Sequence, residues 1–236
     1  MERPSTVNER GPPVLTRTAA RIMRLRRHRP DPSTMQSTRR ETRMAMTRAT
    51  RRRQVFLFAR NFFKHPRMLG SIIPSSRFLV HDLMRQVDWN RAKVLVEYGP
   101  GVGNITAEVL RRMRPDARMV VFETNDDFVG FLREAIPDPR LTVVHGSAAD
   151  VGRVLRELGL DEADYVISGI PFSTMPPEVG EAIVRATREA LRPGGRFLVY
   201  QFSREVLRFL RREFQEIREA FEPLNILPAR LYYCSV

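Results

Sequence analysis

The sequence predicts an α/β fold: a mostly parallel sheet of seven strands, helices on both faces, and an antiparallel hairpin at one edge. Three observations predict it. Short runs rich in Val, Leu and Ile alternate with amphipathic segments of about ten residues, as right-handed βαβ units require. The first such run passes through VEYGPGVGN (96–104) directly into a helix, which is where an open α/β sheet binds its ligand. The final stretch, EIREAFEPLNILPARLYYCSV, holds two strand-like runs joined by a Pro-containing bend.

Taken in order, residues 1–40 are rich in Arg, Pro, Ser and Thr without a hydrophobic period, and are expected to be a disordered head. Met35, Met44 and Met46 are alternative starting points for the natural chain. Residues 41–70 are expected to form a basic amphipathic helix and a linker. Val55, Phe56, Phe58, Ala59, Phe62 and Phe63 recur at helical spacing, Arg51, Arg52, Arg53, Arg60 and Lys64 supply the polar side, and Pro66 stops the helix near His65. Residues 71–236 are expected to form the folded domain. Ser75 or Ser76 can cap a short helix reaching about Val87. Strand KVLVEYG, a helix over 104–113, strand RMVVFET, a helix over 126–135 and strand LTVVHG come next. A helix over 151–158, strand DYVISG, a helix over 178–191 and strand GRFLVYQFS complete the alternation before the hairpin.

Bulk properties narrow the function. A chain of 236 residues, 42% of them hydrophobic, can bury one substantial core. The formal net charge is +13, yet residues 1–53 hold 15 Arg against 4 acids, so the head carries +11 and the remainder is nearly balanced. No apolar run approaches the ~20 residues of a membrane span, and the head lacks the apolar core of a signal peptide. The single cysteine, Cys234, suits a reducing compartment. A cytoplasmic protein, peripheral on the inner membrane leaflet, is expected.

In the loop after the first strand, Gly99, Gly101 and Gly103 let backbone approach a ligand, and the following helix start offers free amides. A dinucleotide fingerprint from Gly99 needs its third glycine at position 104, which is Asn. What stands there is E-x-G-x-G-x-G, and Glu97 suits a ligand ammonium better than a pyrophosphate. Glu123 ends the second strand, where a carboxylate can accept both ribose hydroxyls of an adenosyl group. Together these residues resemble the S-adenosylmethionine-dependent methyltransferases of the Rossmann-like type. The resemblance implies Gly99 and Gly101 along the methionyl part, Glu97 on its amino group, Glu123 on the ribose, and Ser147 and Ala148 facing the adenine. Ser147 stands where that family usually has Asp. Ser76, Gly103, Thr124 and Ser168 complete the cofactor-side candidates, with S-adenosylhomocysteine as product and no metal. His145 is expected to be structural.

The acceptor side is read from SGIPFS (168–173). Ribosomal RNA adenine dimethyltransferases have a similar layout and end the fourth strand in Asn-Leu-Pro-Tyr, where Asn accepts from the target amine and Tyr stacks on the flipped base. Here Gly169, Ile170, Pro171 and Phe172 stand instead, so the amide that selects adenine is missing. FARNFFKHPRMLGSIIPSS, YGPGVGN and SGIPFS together resemble the soluble bacterial phospholipid N-methyltransferases, which convert phosphatidylethanolamine stepwise to phosphatidylcholine. That resemblance implies binding of an anionic membrane surface and its phospholipid through residues 46–64, each basic residue contributing about 1 kcal/mol. It makes Ser168, Gly169, Pro171 and Phe172 the catalytic-wall candidates. Phe172, Ser173, Tyr200 and Tyr232 are the substrate-binding candidates, with Tyr233 as a further aromatic neighbour around a methylated ammonium. Nucleic acid is not the expected partner; an RNA adenine methyltransferase or another small-molecule methyltransferase is the alternative. Oligomeric state is left open.

Overall fold

A computed structural model describes residues 76–225 and 227–236. The Arg-rich head and the basic helix expected over 41–70 lie outside the described residues, as does Ser75.

The first helix, α1 (Arg77–Met84), starts where Ser76 Oγ accepts from the Leu79 amide, and it buries Leu79, Leu83 and Met84. Then follow β1 (Val94–Tyr98), α2 (Asn104–Arg112), β2 (Arg118–Glu123), α3 (Asp126–Ala135), β3 (Leu141–His145) and α4 (Val151–Glu157). The second half comprises β4 (Ala163–Ser168), α5 (Pro177–Ala190), β5 (Leu191–Gln201), α6 (Leu207–Glu213), β6 (Glu216–Glu222) and β7 (Ala229–Ser235). The strand order is β3-β2-β1-β4-β5-β7-β6. The first five strands are mutually parallel; β7 runs antiparallel to β5 on one side and to β6 on the other. The expected hairpin edge is therefore present, with the last strand of the chain inserted inside it.

Period-two alternation divides the core between the two faces. Val96, Tyr98, Val120, Phe122, Val166, Phe197 and Val199 point one way and pack with α4, α5 and α6. Leu95, Met119, Val121, Tyr165, Ile167 and Leu198 point the other way and pack with α1, α2 and α3's Leu132. Both faces are covered, which is why these strands read as continuous apolar runs.

Two differences from the sequence expectation bear on the site. Helix α6 was not anticipated: it is seven residues long, and Arg208, Arg211 and Arg212 interrupt its apolar pattern, although Leu207, Phe209 and Leu210 are buried. Strand β5 begins at Leu191, ahead of the expected GRFLVYQFS, and its pairing with β4 shifts register between Ala163 and Tyr165 where Pro193 and two glycines interrupt it.

The N-terminal ends of the parallel strands are tied by ion pairs. Asp164 accepts from the amides of Lys93 and Val94, both at 2.8 Å, and from Arg192 Nε at 2.5 Å, joining β1, β4 and β5. Asp138 holds Arg140, both buried, and that guanidinium also donates to the carbonyls of Leu110 and Met113 at the end of α2. The C-terminal ends of the strands and the loops that follow them hold every candidate site residue except Ser76 and Tyr232.

Candidate active site

At the C-terminal end of β1 the chain turns through three glycines, all with positive φ: +68° at Gly99, +56° at Gly101 and +78° at Gly103. L side chains are strained in that region. At Gly99 contact adds a second restriction, because a Cβ there would lie 2.7 Å from Ile170 Cγ2. The glycine loop and the loop after β4 are thus packed against each other. Backbone bonds join the same ends, from the Gly99 amide to the Phe122 carbonyl at 2.9 Å and from the Gly169 amide to the Tyr98 carbonyl at 3.2 Å.

Two buried carboxylates border this cradle. Glu97 faces α2, where Thr106 Oγ1 donates to its Oε2 at 2.6 Å. Burial pushes its pKa up to about 8; the Thr106 hydroxyl pulls against that shift, and the nearby Glu123 charge adds to it. Glu123 Oε1 accepts from the amides of Thr124 (2.9 Å) and Asn125 (3.0 Å), and Oε2 accepts from the Gly101 amide at 3.2 Å. Burial raises its pKa as well, opposed by these amides and by His145. Three of roughly four carboxylate lone-pair positions are thereby used, which leaves one on Oε2. Among the described residues neither carboxylate forms a salt bridge, although each is less than a tenth exposed. A buried acid with a raised pKa and no matching cation is a candidate for contact with a ligand.

Around them, Ser147 Oγ accepts from the Ala149 amide at 3.2 Å and opens a 3-10 turn that buries Ala148. His145 is exposed and its Nε2 lies 3.2 Å from the Thr124 carbonyl, a bridge between β3 and β2 in keeping with a structural histidine. Ser76 caps α1, and its amide donates to Asn225 Oδ1 at 2.8 Å; none of its bonds runs to the glycine loop.

On the acceptor side, Ser168 ends β4 fully buried, and its Oγ has no hydrogen-bond partner among the described residues. Gly169 follows. A Cβ at that position would sit 2.0 Å from Tyr200 Oη and 2.3 Å from Tyr200 Cζ. The site that an Asn side chain would fill is therefore occupied by a tyrosine hydroxyl from β5. The pairing of Ser168 with Val199 brings these two residues side by side. Gln201 Nε2 donates to the Ile170 carbonyl at 2.7 Å and anchors the loop; it is buried and was not among the sequence candidates. Pro171 precedes a 3-10 turn and its carbonyl accepts from the Thr174 amide and hydroxyl, both at 3.0 Å, while Ser173 is exposed.

The expected aromatic surface needs correction. Phe172 is 1% exposed and its ring packs against Phe209 of α6 at 6.3 Å, so it fills the core and offers no open face. Tyr232 is also buried, on the Phe172 side of the sheet, while Tyr200 and Tyr233 belong to the opposite face. The four rings do not form one wall, and Tyr200 alone reaches Gly169.

Comparison with known proteins agrees with this geometry. The family described as methyltransferase small domain matches residues 69–223. An ornithine lipid N-methyltransferase from Singulisphaera acidiphila is 37% identical over 187 residues, which is 76% of this chain and 94% of that protein. A ribosomal RNA small subunit methyltransferase H from Bordetella petrii is 34% identical over 90 residues, 38% of this chain and 24% of that protein. The N-methyltransferase NodS from Bradyrhizobium japonicum, solved with S-adenosyl-L-homocysteine, has the same fold: TM-score 0.55 and 11% identity over 66% of this chain and 84% of that one. The chain belongs to the methyltransferase small domain family and is an S-adenosylmethionine-dependent enzyme of Rossmann-like fold.

Proposed function

We propose that this methyltransferase transfers methyl groups to the primary amine of a membrane aminolipid headgroup. The observation that carries the reading is the Tyr200 hydroxyl standing over Gly169. A base-reading site presents a carboxamide, which accepts and donates in one plane, at the end of the fourth strand. A phenol offers a single oxygen, enough to accept one N–H from a tetrahedral amine but unable to read the edge of an adenine.

S-adenosylmethionine would supply a methyl carbon on a sulfonium, open to in-line attack by the amine nitrogen as the C–S bond breaks, with a thioether leaving group that needs no proton. Its groups fit the residues present. In this reading Glu97 would hold the ammonium, Glu123 one ribose hydroxyl through its remaining lone pair, the Gly99 and Gly101 backbone the methionyl part, and Ser147 and Ala148 the adenine. The chain must also present the acceptor amine neutral. A buried setting beside Ser168 and Tyr200 disfavours the ammonium form and so favours the free base.

The headgroup is the finer question. The resemblance carried by 58–76, 98–104 and 168–173 implies ethanolamine; the relative matched over nearly its whole length is named for ornithine lipid. Both headgroups end a short flexible chain in an amine and differ in the anion, phosphodiester or carboxylate. Residues 46–64 are proposed to hold the enzyme peripherally on an anionic leaflet, and among the described residues no helix is long and apolar enough to cross a membrane. Incubation with methyl-labelled S-adenosylmethionine and, separately, phosphatidylethanolamine vesicles, ornithine lipid vesicles and ribosomal RNA tests the reading. Label is expected in extracted lipid; label in RNA alone would overturn it.

A further inference from the structure

Among the described residues five large apolar side chains are exposed: Phe78 (38%), Val179 (40%), Phe221 (56%), Leu224 (62%) and Leu227 (41%). Single exposed apolar residues need no explanation, but a set gathered on one end of a domain does. All five lie at the C-terminal end of the parallel strands, the end that holds the glycine loop. Phe221, Leu224 and Leu227 belong to the β6–β7 hairpin, whose tip is placed there because Arg230 pairs with Gln201, the last residue of β5. Phe78 is in the first turn of α1, which the Ser76–Asn225 bond fastens to the same tip. Val179 opens α5 just after the acceptor loop.

Charge accompanies the apolar groups in a regular way. The Arg77 guanidinium lies 4.8 Å from the Phe78 ring centroid, and that of Arg230 lies 5.8 Å from the Phe221 ring. Each exposed aromatic thus carries a cation, the pairing that suits a ring entering acyl chains while its guanidinium stays among lipid phosphates. The acid of the tip, Glu222, is buried and turned inward, accepting from the Leu224 amide.

We propose that this rim, centred on Phe221, Leu224 and Leu227 and flanked by Arg77 and Arg230, is a second membrane-docking surface. It seats the catalytic end of the sheet on an anionic bilayer. The proposal rests on the aminolipid reading, and it differs from the binding expected of residues 46–64 because it is built into the folded domain. Docking in this pose brings Gly169 and Tyr200 toward the headgroup layer, where the substrate amine resides.

The test uses the full chain and vesicles of phosphatidylglycerol mixed with phosphatidylcholine. Leu224→Trp is expected to shift its emission to the blue on vesicle addition and to be quenched by lipids brominated in the acyl chain. The native Trp89 lies at the opposite end of the sheet and supplies the background. A triple variant, Phe221→Ser, Leu224→Ser and Leu227→Ser, is expected to partition ~10-fold more weakly. It should keep its methyl transfer to a short-chain aminolipid dissolved as monomers. Triple-variant partitioning equal to the parent, or a Leu224→Trp emission unmoved by vesicles, would overturn the docking surface. A parent that docks through this rim yet labels no lipid would uphold the surface and sink the aminolipid reading instead.

Discussion

The two ends of the sheet handle buried charge in opposite ways. At the N-terminal end of the strands, Asp164 is matched by Arg192 and Asp138 by Arg140, and each pair also satisfies backbone groups of neighbouring elements. At the C-terminal end, Glu97 and Glu123 are equally buried and have no cation among the described residues. The first arrangement is complete and rigid. The second has no such pairing, and burial raises both carboxyl pKa values against the weaker pull of the Thr106 hydroxyl on Glu97 and of backbone amides and His145 on Glu123. An acid matched by Arg ties elements together; an acid left unmatched in the same kind of burial is drawn toward its neutral form.

The largest expected effect breaks the matched end. Arg140→Ala leaves Asp138 charged, buried and alone, and also strips the last carbonyls of α2, so a loss of about 3–5 kcal/mol is expected in denaturant unfolding. The protein that remains folded should bind S-adenosylmethionine as before. A matching loss of cofactor affinity would show that the two ends are not independent.

At the unmatched end the cost should fall on binding. Glu97→Gln is expected to weaken S-adenosylmethionine binding by about 1.5–3 kcal/mol, roughly 10- to 150-fold by calorimetry, through loss of a charge-assisted hydrogen bond. Its stability without cofactor should hold or rise at alkaline pH. Unchanged affinity would remove Glu97 from the site.

Between the two loops, Gly169→Ala drives a methyl into Tyr200 and should cost about 1–3 kcal/mol of stability, with methyl transfer falling more than cofactor binding. Adding Tyr200→Ala should recover the stability without recovering transfer. Recovery of both would mean that the hydroxyl only fills space.

The pH profile sharpens the comparison further. Glu97 titrates near 8 in the folded protein against its usual 4.5, so the native state holds this proton more tightly than the unfolded chain. Its contribution to stability is full below 4.5 and is lost as pH rises through 8. A bound ammonium favours the carboxylate, so binding releases a proton, and cofactor affinity should climb as pH rises toward about 8 and level off above it. Glu97→Gln should flatten that climb. The smallest effect belongs to Ser168→Ala: its unpartnered hydroxyl makes a stability change within about 1 kcal/mol the expectation, while a fall in kcat would reveal contact with the substrate.

Much of the cofactor side was legible in the sequence because it is local. Glu97 and the three glycines lie within seven residues, and the apolar run before them fixes which end of the strand they occupy. Thr106 was missed although it lies nine residues from Glu97, since a threonine in the first turn of a helix has many ordinary uses. The acceptor side was less legible. Gly169 reads in the sequence as a missing amide, and only the structure shows it as the space into which Tyr200 projects. Phe172 was misread for a related reason. Without α6 in view its ring had no core partner, and an aromatic residue after Pro171 suggested an exposed stacking surface.

The sequence by itself determined the alternation of strands and helices and the glycine cradle with its two acids, because residue periodicity and short spacing are local properties of the chain, and those motifs carried the resemblance to methyltransferases. Tertiary structure decided the rest. It set β7 between β5 and β6, laid Tyr200 over Gly169, buried Phe172 against Phe209, and gathered the exposed apolar residues at the catalytic end. Each of these depends on strand order and register between elements far apart in the chain, and those are chosen by packing on both faces of the sheet.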